Sequence, residues 1–205
     1  MRLIYKILFF IVGLLILTNG VALTIKADLG AGSWDALNVG LSNTIGFTVG
    51  TWVIIVGLIL IFVNGYLLKK RPDFLAIITI TLVGFLIDFW LLIVYRNLEA
   101  EVFGYQLVLL LVGMLMIGIG ISIYLQPKFP LIPIDNLMLA IQFRLKVNLM
   151  VAKTIGEAIA LTLAFIVKGP IGLGTIIVTF LIGPIIQFFF PYFEKLLNKL
   201  LEKQG

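Results

Sequence analysis

The sequence predicts an all-α polytopic membrane protein: six transmembrane helices in two inverted three-helix repeats, each with a short broken or re-entrant helix after its first span. Three observations predict it. The 205 residues are 61% hydrophobic and only 12% charged, with a mean hydropathy of +1.19, far from the balance of a water-solvated domain, which is about half apolar and about a quarter charged. The apolar residues fall into six runs, each near the roughly 20 residues that a helix needs to cross a hydrocarbon core of about 30 Å. A long polar interruption follows the first run and recurs after the fourth, about one hundred residues later.

Taken in order, the expected spans are residues 7–25, 48–68, 74–95, 107–125, 149–167 and 171–190. The first follows Arg2 and Lys6, as a secretory signal would. Its apolar core is too long for one and no small-x-small cleavage site follows, so it reads as a retained span. The links after spans two and five are tight, "KKRPD" and "KGP", whereas residues 26–48 and 126–148 form long breaks. A shift of 100 superposes Gly20 on Gly120, Asp35 on Asp135 and Leu37 on Leu137, and a shift of 99 superposes Gly84 on Gly183 and places Asp88 over Gln187. Each copy holds three spans, an odd number, so the second enters the membrane from the opposite side, the inverted-repeat plan of many transporters and some channels. The expected organisation is one membrane domain, with repeats over residues 1–98 and 99–190 and an inner tail over 191–205.

With the N-terminus inside, eleven cations lie on the inner side (Arg2, Lys6, Lys69, Lys70, Arg71, Lys128, Arg144, Lys146, Lys195, Lys199 and Lys203) against Lys26, Arg96 and Lys168 outside. That asymmetry predicts both termini in the cytoplasm. The net charge of +5 therefore reads as topology, and no nucleic-acid partner is expected. The tail "FEKLLNKLLEKQG" sets leucines against a lysine-rich face, as a helix lying on the inner membrane surface does; a last helical turn fraying into water fits it equally.

The breaks carry the chemistry. In "KADLGAGSWDALNVGLSNTIGF", glycines and the cap-capable Ser33 precede Trp34, Leu37 and Leu41 at helical spacing, with Asp35 in the first turn, where the helix dipole favours a carboxylate. In "QPKFPLIPIDNLMLAIQFR", prolines replace the glycines, Asp135 opens the helix, and Leu137, Met138 and Ile141 share a face. Both read as short helices, either dipping into the membrane or lying flat at its surface, with the two aspartates as pathway groups or simply as first-turn caps. Asn38 and Asn136 stand beside them as further candidates. Within the spans, ionisable groups are costly and so mark candidate sites. They are Asp88, Lys153 and Glu157, with Gln187 at the place matching Asp88. Lys153 and Glu157 are four residues apart and share a helix face. The pair reads either as internal neutralisation, with Lys153 reaching for the inner surface, or as a carboxylate in a pathway. Ala152, Gly156, Ala160 and Ala164 form a neighbouring ladder of small residues suited to close helix packing.

"GVALTIKADLGAGSWDALNVGLSNTIGFTVGTW", "KKRPDFLAIITITLVGFLIDFW" and "GLGTIIVTFLIGPIIQFFFP" resemble the YczE/YyaS membrane proteins of Bacillus-type bacteria, related to the YitT group, over essentially the whole chain. The resemblance implies a bacterial plasma-membrane protein and supplies no assigned catalytic residue.

Cysteine and histidine are absent, which removes thiolate chemistry, the commonest metal ligand and the commonest general base near neutral pH. There is no Walker-type loop and no nucleophile beside a base. No enzyme activity, cofactor or metal is expected. The expected function is a secondary transporter or channel for a small solute or ion, its partners the lipid bilayer, that solute and, compatibly, further copies of the chain. The alternative is a non-transporting scaffold or accessory that regulates a membrane-associated enzyme through the inner loops.

Overall fold

The computed structural model describes residues 2–202; the predicted inner cation Lys203 lies outside them. The described residues form eight helices and no strand: α1 (Arg2–Lys26), α2 (Ser33–Ile45), α3 (Val49–Leu68), α4 (Ala76–Asp88), α5 (Phe103–Tyr124), α6 (Pro133–Leu145), α7 (Leu149–Ile166) and α8 (Leu173–Glu202). A π-helical segment, Phe89–Val94, continues α4. Six of these elements, α4 taken with its π-helical end, are long and apolar enough to cross a membrane. The other two, α2 and α6, have 13 residues each. At 1.5 Å per residue that is about 20 Å, too short to cross.

The centre of the molecule is the crossing of α1 on α5, and glycine makes it. A methyl group on Gly20 would lie 2.5 Å from the Gly113 carbonyl oxygen, and one on Gly120 would lie 2.8 Å from that of Gly13. Only hydrogen fits where two backbones approach this closely, which is how helices associate in lipid. Gly13 lies against Tyr124, whereas Gly20 lies against Gly113 and Ile117. Contacts on α5 thus move backward as those on α1 move forward, and the two helices run antiparallel. Phe10, Leu14, Leu17, Ile117 and Tyr124 pack around the crossing with Ile80, Val83 and Ile87 of α4.

Each break docks on the tight turn of the other half. The Gly174 amide donates to the Leu29 carbonyl at 2.7 Å, and that of Ala31 to the Pro170 carbonyl at 3.1 Å. Thr79 donates to the Pro130 carbonyl at 3.1 Å, and Asn64 Nδ2 to that of Pro133 at 2.8 Å. In consequence α2 packs on α7 and α6 packs on α3. The ladder Ala152, Ala160 and Ala164 is buried with Trp34, Leu37, Leu137 and Ile141, so it serves packing. Left-handed backbone recurs at matching places as well. Asp28 (φ 54°) matches Lys128 (φ 58°), Gly46 (φ 98°) matches Lys146 (φ 55°), and Lys69 (φ 53°) matches Lys168 (φ 54°).

The halves differ in one respect. Helix α3 packs closely along α4, with Gly50 against the backbone of Gly84, and Asp88 fastens the pair. Its carboxylate accepts from the Thr48 hydroxyl at 2.5 Å and the Gly50 amide at 2.8 Å. Helices α7 and α8, which follow the second break, stand apart.

Two expectations are corrected. Gly32 rather than Ser33 occupies the cap position of α2, and no side chain caps that end. The last helix does not end near residue 190, because α8 runs unbroken from Leu173 to Glu202 through Pro184 and Pro191 and takes in the tail residues up to Glu202.

Candidate functional site

The space between α7 and α8 opens into a cavity of about 470 Å³ bounded by both short helices. Its wall is mostly aliphatic, from Leu17, Val53, Ile80, Val83 and Ile117 among others. Six polar candidates from the sequence reach it: Asp35, Asn38, Asp135, Lys153, Glu157 and Gln187. Asp35 and Asp135 stand in the first turns of α2 and α6, so the N-terminal ends of both short helices face one space.

The remaining candidates are elsewhere. Asp88 fastens α4 to α3 and does not line this cavity, and neither does Asn136.

Local geometry fixes each group. Asp35 folds back over the start of its helix, its Oδ2 lying 3.1 Å from where a Cβ on Gly32 would be, as the positive end of the dipole favours. Asp135 accepts a hydrogen bond from the Tyr124 hydroxyl at the end of α5. Glu157 has Ser33 as its side-chain hydrogen-bond partner, while Lys153 acts on it through its charge. The Lys153 ammonium reaches across the cleft to α8, where a Cβ on Gly183 would come within 4.0 Å of it. Asn38 is 1% exposed, and its Oδ1 has no donor.

Ser33, Tyr124 and Thr179 were not among the residues that sequence reasoning singled out as site candidates. Ser33 and Thr179 line the cavity, and Tyr124 stands behind it. Their small hydroxyls carry no cost signal inside an apolar helix. Only Tyr124 had a readable cue, as the last residue before the break that leads to Asp135.

The arrangement sets three carboxylates, one ammonium and the Asn38 and Gln187 carboxamides into a largely apolar chamber, with the hydroxyls of Ser33 and Tyr124 against Glu157 and Asp135.

Comparison with known proteins agrees with the class of molecule. "Uncharacterized protein YyaS" of Bacillus subtilis (strain 168) is 40% identical over 190 residues, covering 93% of this chain and 94% of the relative. "Uncharacterized membrane protein YczE" of the same strain is 32% identical over 198 residues, covering 96% and 91%. An uncharacterized protein of Haemophilus influenzae is 26% identical over 190 residues, covering 92% and 84%. No solved structure matches significantly. The DUF6198 model, described as a family of unknown function, matches residues 4–191, and with the two Bacillus relatives it places this chain in the YczE/YyaS family of multi-span membrane proteins.

Proposed function

We propose that this protein is a non-enzymatic secondary transporter or channel of the bacterial plasma membrane that takes a small solute or ion through the central cavity. The observation that carries this reading is the convergence of Asp35, Asn38, Asp135, Lys153, Glu157 and Gln187 from four helices and both halves on one chamber of about 470 Å³. Polar groups at membrane depth are costly and line pathways when they are kept.

The inverted repeat belongs to the same reading. The antiparallel run of α1 against α5, the reciprocal docking of each break on the other half's turn and the paired left-handed residues all support it. In such folds the substrate site lies at the interface of the repeats, beside interrupted helices. The orientation is taken from the cation asymmetry, with both termini in the cytoplasm.

The test is an untargeted comparison of solute distribution in cells carrying the wild-type chain or Asp35→Asn/Glu157→Gln, both confirmed in the membrane. A solute displaced by the wild-type chain and not by the variant is the expected result. Identical profiles in the two strains would favour a non-transporting accessory role. One feature speaks for that alternative: Lys69, Lys70, Arg71 and Arg144 line an open depression at the α3–α4 turn, a cationic surface suited to an acidic partner.

A further inference from the structure

We propose that the central cavity binds a small organic cation, namely a protonated amine with an apolar body. This rests on the cavity being a solute site and adds the chemical class of the solute. Three independent features of the chamber lead to it.

Charge comes first. Three carboxylates, Asp35, Asp135 and Glu157, face one ammonium, Lys153. Each short helix directs its N-terminal end at the chamber, and each end is equivalent to about half a positive charge. Burial pushes the Asp35 carboxyl up to about 7, and in the state with all three carboxylates ionised the site is short of about one positive charge. A monovalent cation completes it, whereas an anion would widen the imbalance.

Hydrogen-bond polarity is the second feature. Asp135 has the Tyr124 hydroxyl and Glu157 has Ser33. Asn38 Oδ1 is buried without a donor, and among the described residues no hydrogen bond to Asp35 is formed. The carboxylate of Asp35 is thus an unused acceptor on the α2 side, while the Lys153 ammonium, also without a hydrogen bond among the described residues, supplies donors on the α8 side. Asp35 and Asn38 are three residues apart on α2 and therefore neighbours on one helix face, and a ligand seated there has to bring N–H groups. Ammonium donors meet the Asp35 carboxylate in a charge-assisted bond, and Asn38 Oδ1, buried beside it, is the second acceptor once its amide turns toward the chamber.

Size and wall are the third. A bare metal ion needs several oxygens gathered at coordination distance, and among the described residues no three acidic groups are so gathered. A chamber of about 470 Å³ walled largely by aliphatic side chains suits a ligand with a hydrocarbon or aryl body. Lys153, over Gly183 on the α8 side, repels the ammonium and sets its direction toward α2.

The full chain in lipid nanodiscs is titrated with 2-phenylethylammonium and hexylammonium. The comparison ligands are neutral 2-phenylethanol, anionic 3-phenylpropionate, and sodium or potassium chloride. Saturable binding of the amines alone is expected. Asp35→Asn and Asn38→Leu should each weaken it, the first by about tenfold or more. Lys153→Met should tighten it, opposite in sign to anything a general loss of structure would do. Asp88→Asn, away from the chamber, should leave it unchanged. Should Asp35→Asn fail to elute as a single species, Glu157→Gln takes its place with the same expected direction. The proposal is overturned if the alcohol or the carboxylate binds as tightly as the amines, if sodium or potassium binds in their place, or if no amine saturates.

The chain has no cysteine, so a single Asn38→Cys or Thr179→Cys reports water access to the chamber through a charged methanethiosulfonate. Labelling without amine binding overturns the cation while the solute pathway stands. Neither labelling nor binding removes both. Labelling that slows as 2-phenylethylammonium is added supports both.

Discussion

Asp88 and Gln187 hold matching places in the two halves and do different work. The Asp88 carboxylate accepts from Thr48 and the Gly50 amide, so its charge is spent on holding α4 to α3. Gln187 stands exposed at the cavity. Replacing Asp88 with Leu strands two donors, at a cost of about 1–3 kcal/mol. The unfolding temperature of the purified protein should fall, while amine affinity in the remaining folded protein stays at the wild-type value. Lys153 acts on Glu157 through its charge across one helical turn, without a direct ion pair among the described residues. Removing one charge leaves the other without its counter-charge, whereas removing both does not. Glu157→Gln/Lys153→Met should therefore match wild type in membrane yield, and Glu157→Ala should fall below it, as quantitative immunoblotting of membranes will read. At this scale the sequence spoke through cost. A carboxylate or ammonium in an apolar run is conspicuous, and most of the chamber's charged and amide groups were legible for that reason. Asp88 was equally conspicuous and proved to be a fastening, because partners forty residues away in sequence are invisible until the chain folds.

Among the elements, the crossing of α1 on α5 is the tightest joint, and its tolerance is near zero. Gly20→Leu or Gly113→Leu drives a side chain into opposing backbone. Overpacking of this kind costs about 1–3 kcal/mol or more. Either change should lower thermal stability and the monodisperse fraction on size exclusion, while Gly104→Leu, with no atom within 4 Å of the added Cβ, should not. The shift that superposes Gly20 on Gly120 also superposes Gly13 on Gly113. In a chain with 20 glycines that second match is uninformative until the two helices are seen to meet there. The spans themselves were readable from hydropathy. The π-helical end of α4 was not, since a widened helical turn leaves the pattern of apolar residues unchanged. It is held by tertiary contacts that hydropathy does not encode: Trp90 donates to the Thr18 hydroxyl at 3.1 Å, and Tyr95 to Asn19 Oδ1 at 3.0 Å. The continuity of α8 was likewise hidden, because proline reads as a stop signal in water yet is tolerated inside helices packed in a membrane.

For the whole molecule, topology is the first thing to check. Single cysteines replacing Lys70 or Lys199 should resist a membrane-impermeant maleimide in intact cells, and one replacing Arg96 should react. Labelling at position 70 from outside would refute the cytoplasmic placement of both ends. Beyond topology lies the unequal packing of α3 on α4 and of α7 beside α8. If the two halves share the proposed plan, one shut and one ajar, they describe between them two positions of a single hinge. If the second half can close as the first has closed, Gly183 comes up against α7 near Met150, the residue matching Gly50, and Gln187 reaches the N-terminal turn of α7 at Asn148. If the first half can open as the second has, Asp88 lets go of Thr48 and the chamber gains an exit on the opposite side. A cysteine pair at Met150 and Gly183 should then cross-link with a short bifunctional reagent, and faster when 2-phenylethylammonium is absent than when it holds the cleft apart. The molecule would work as a rocker whose far position is already drawn in its other half.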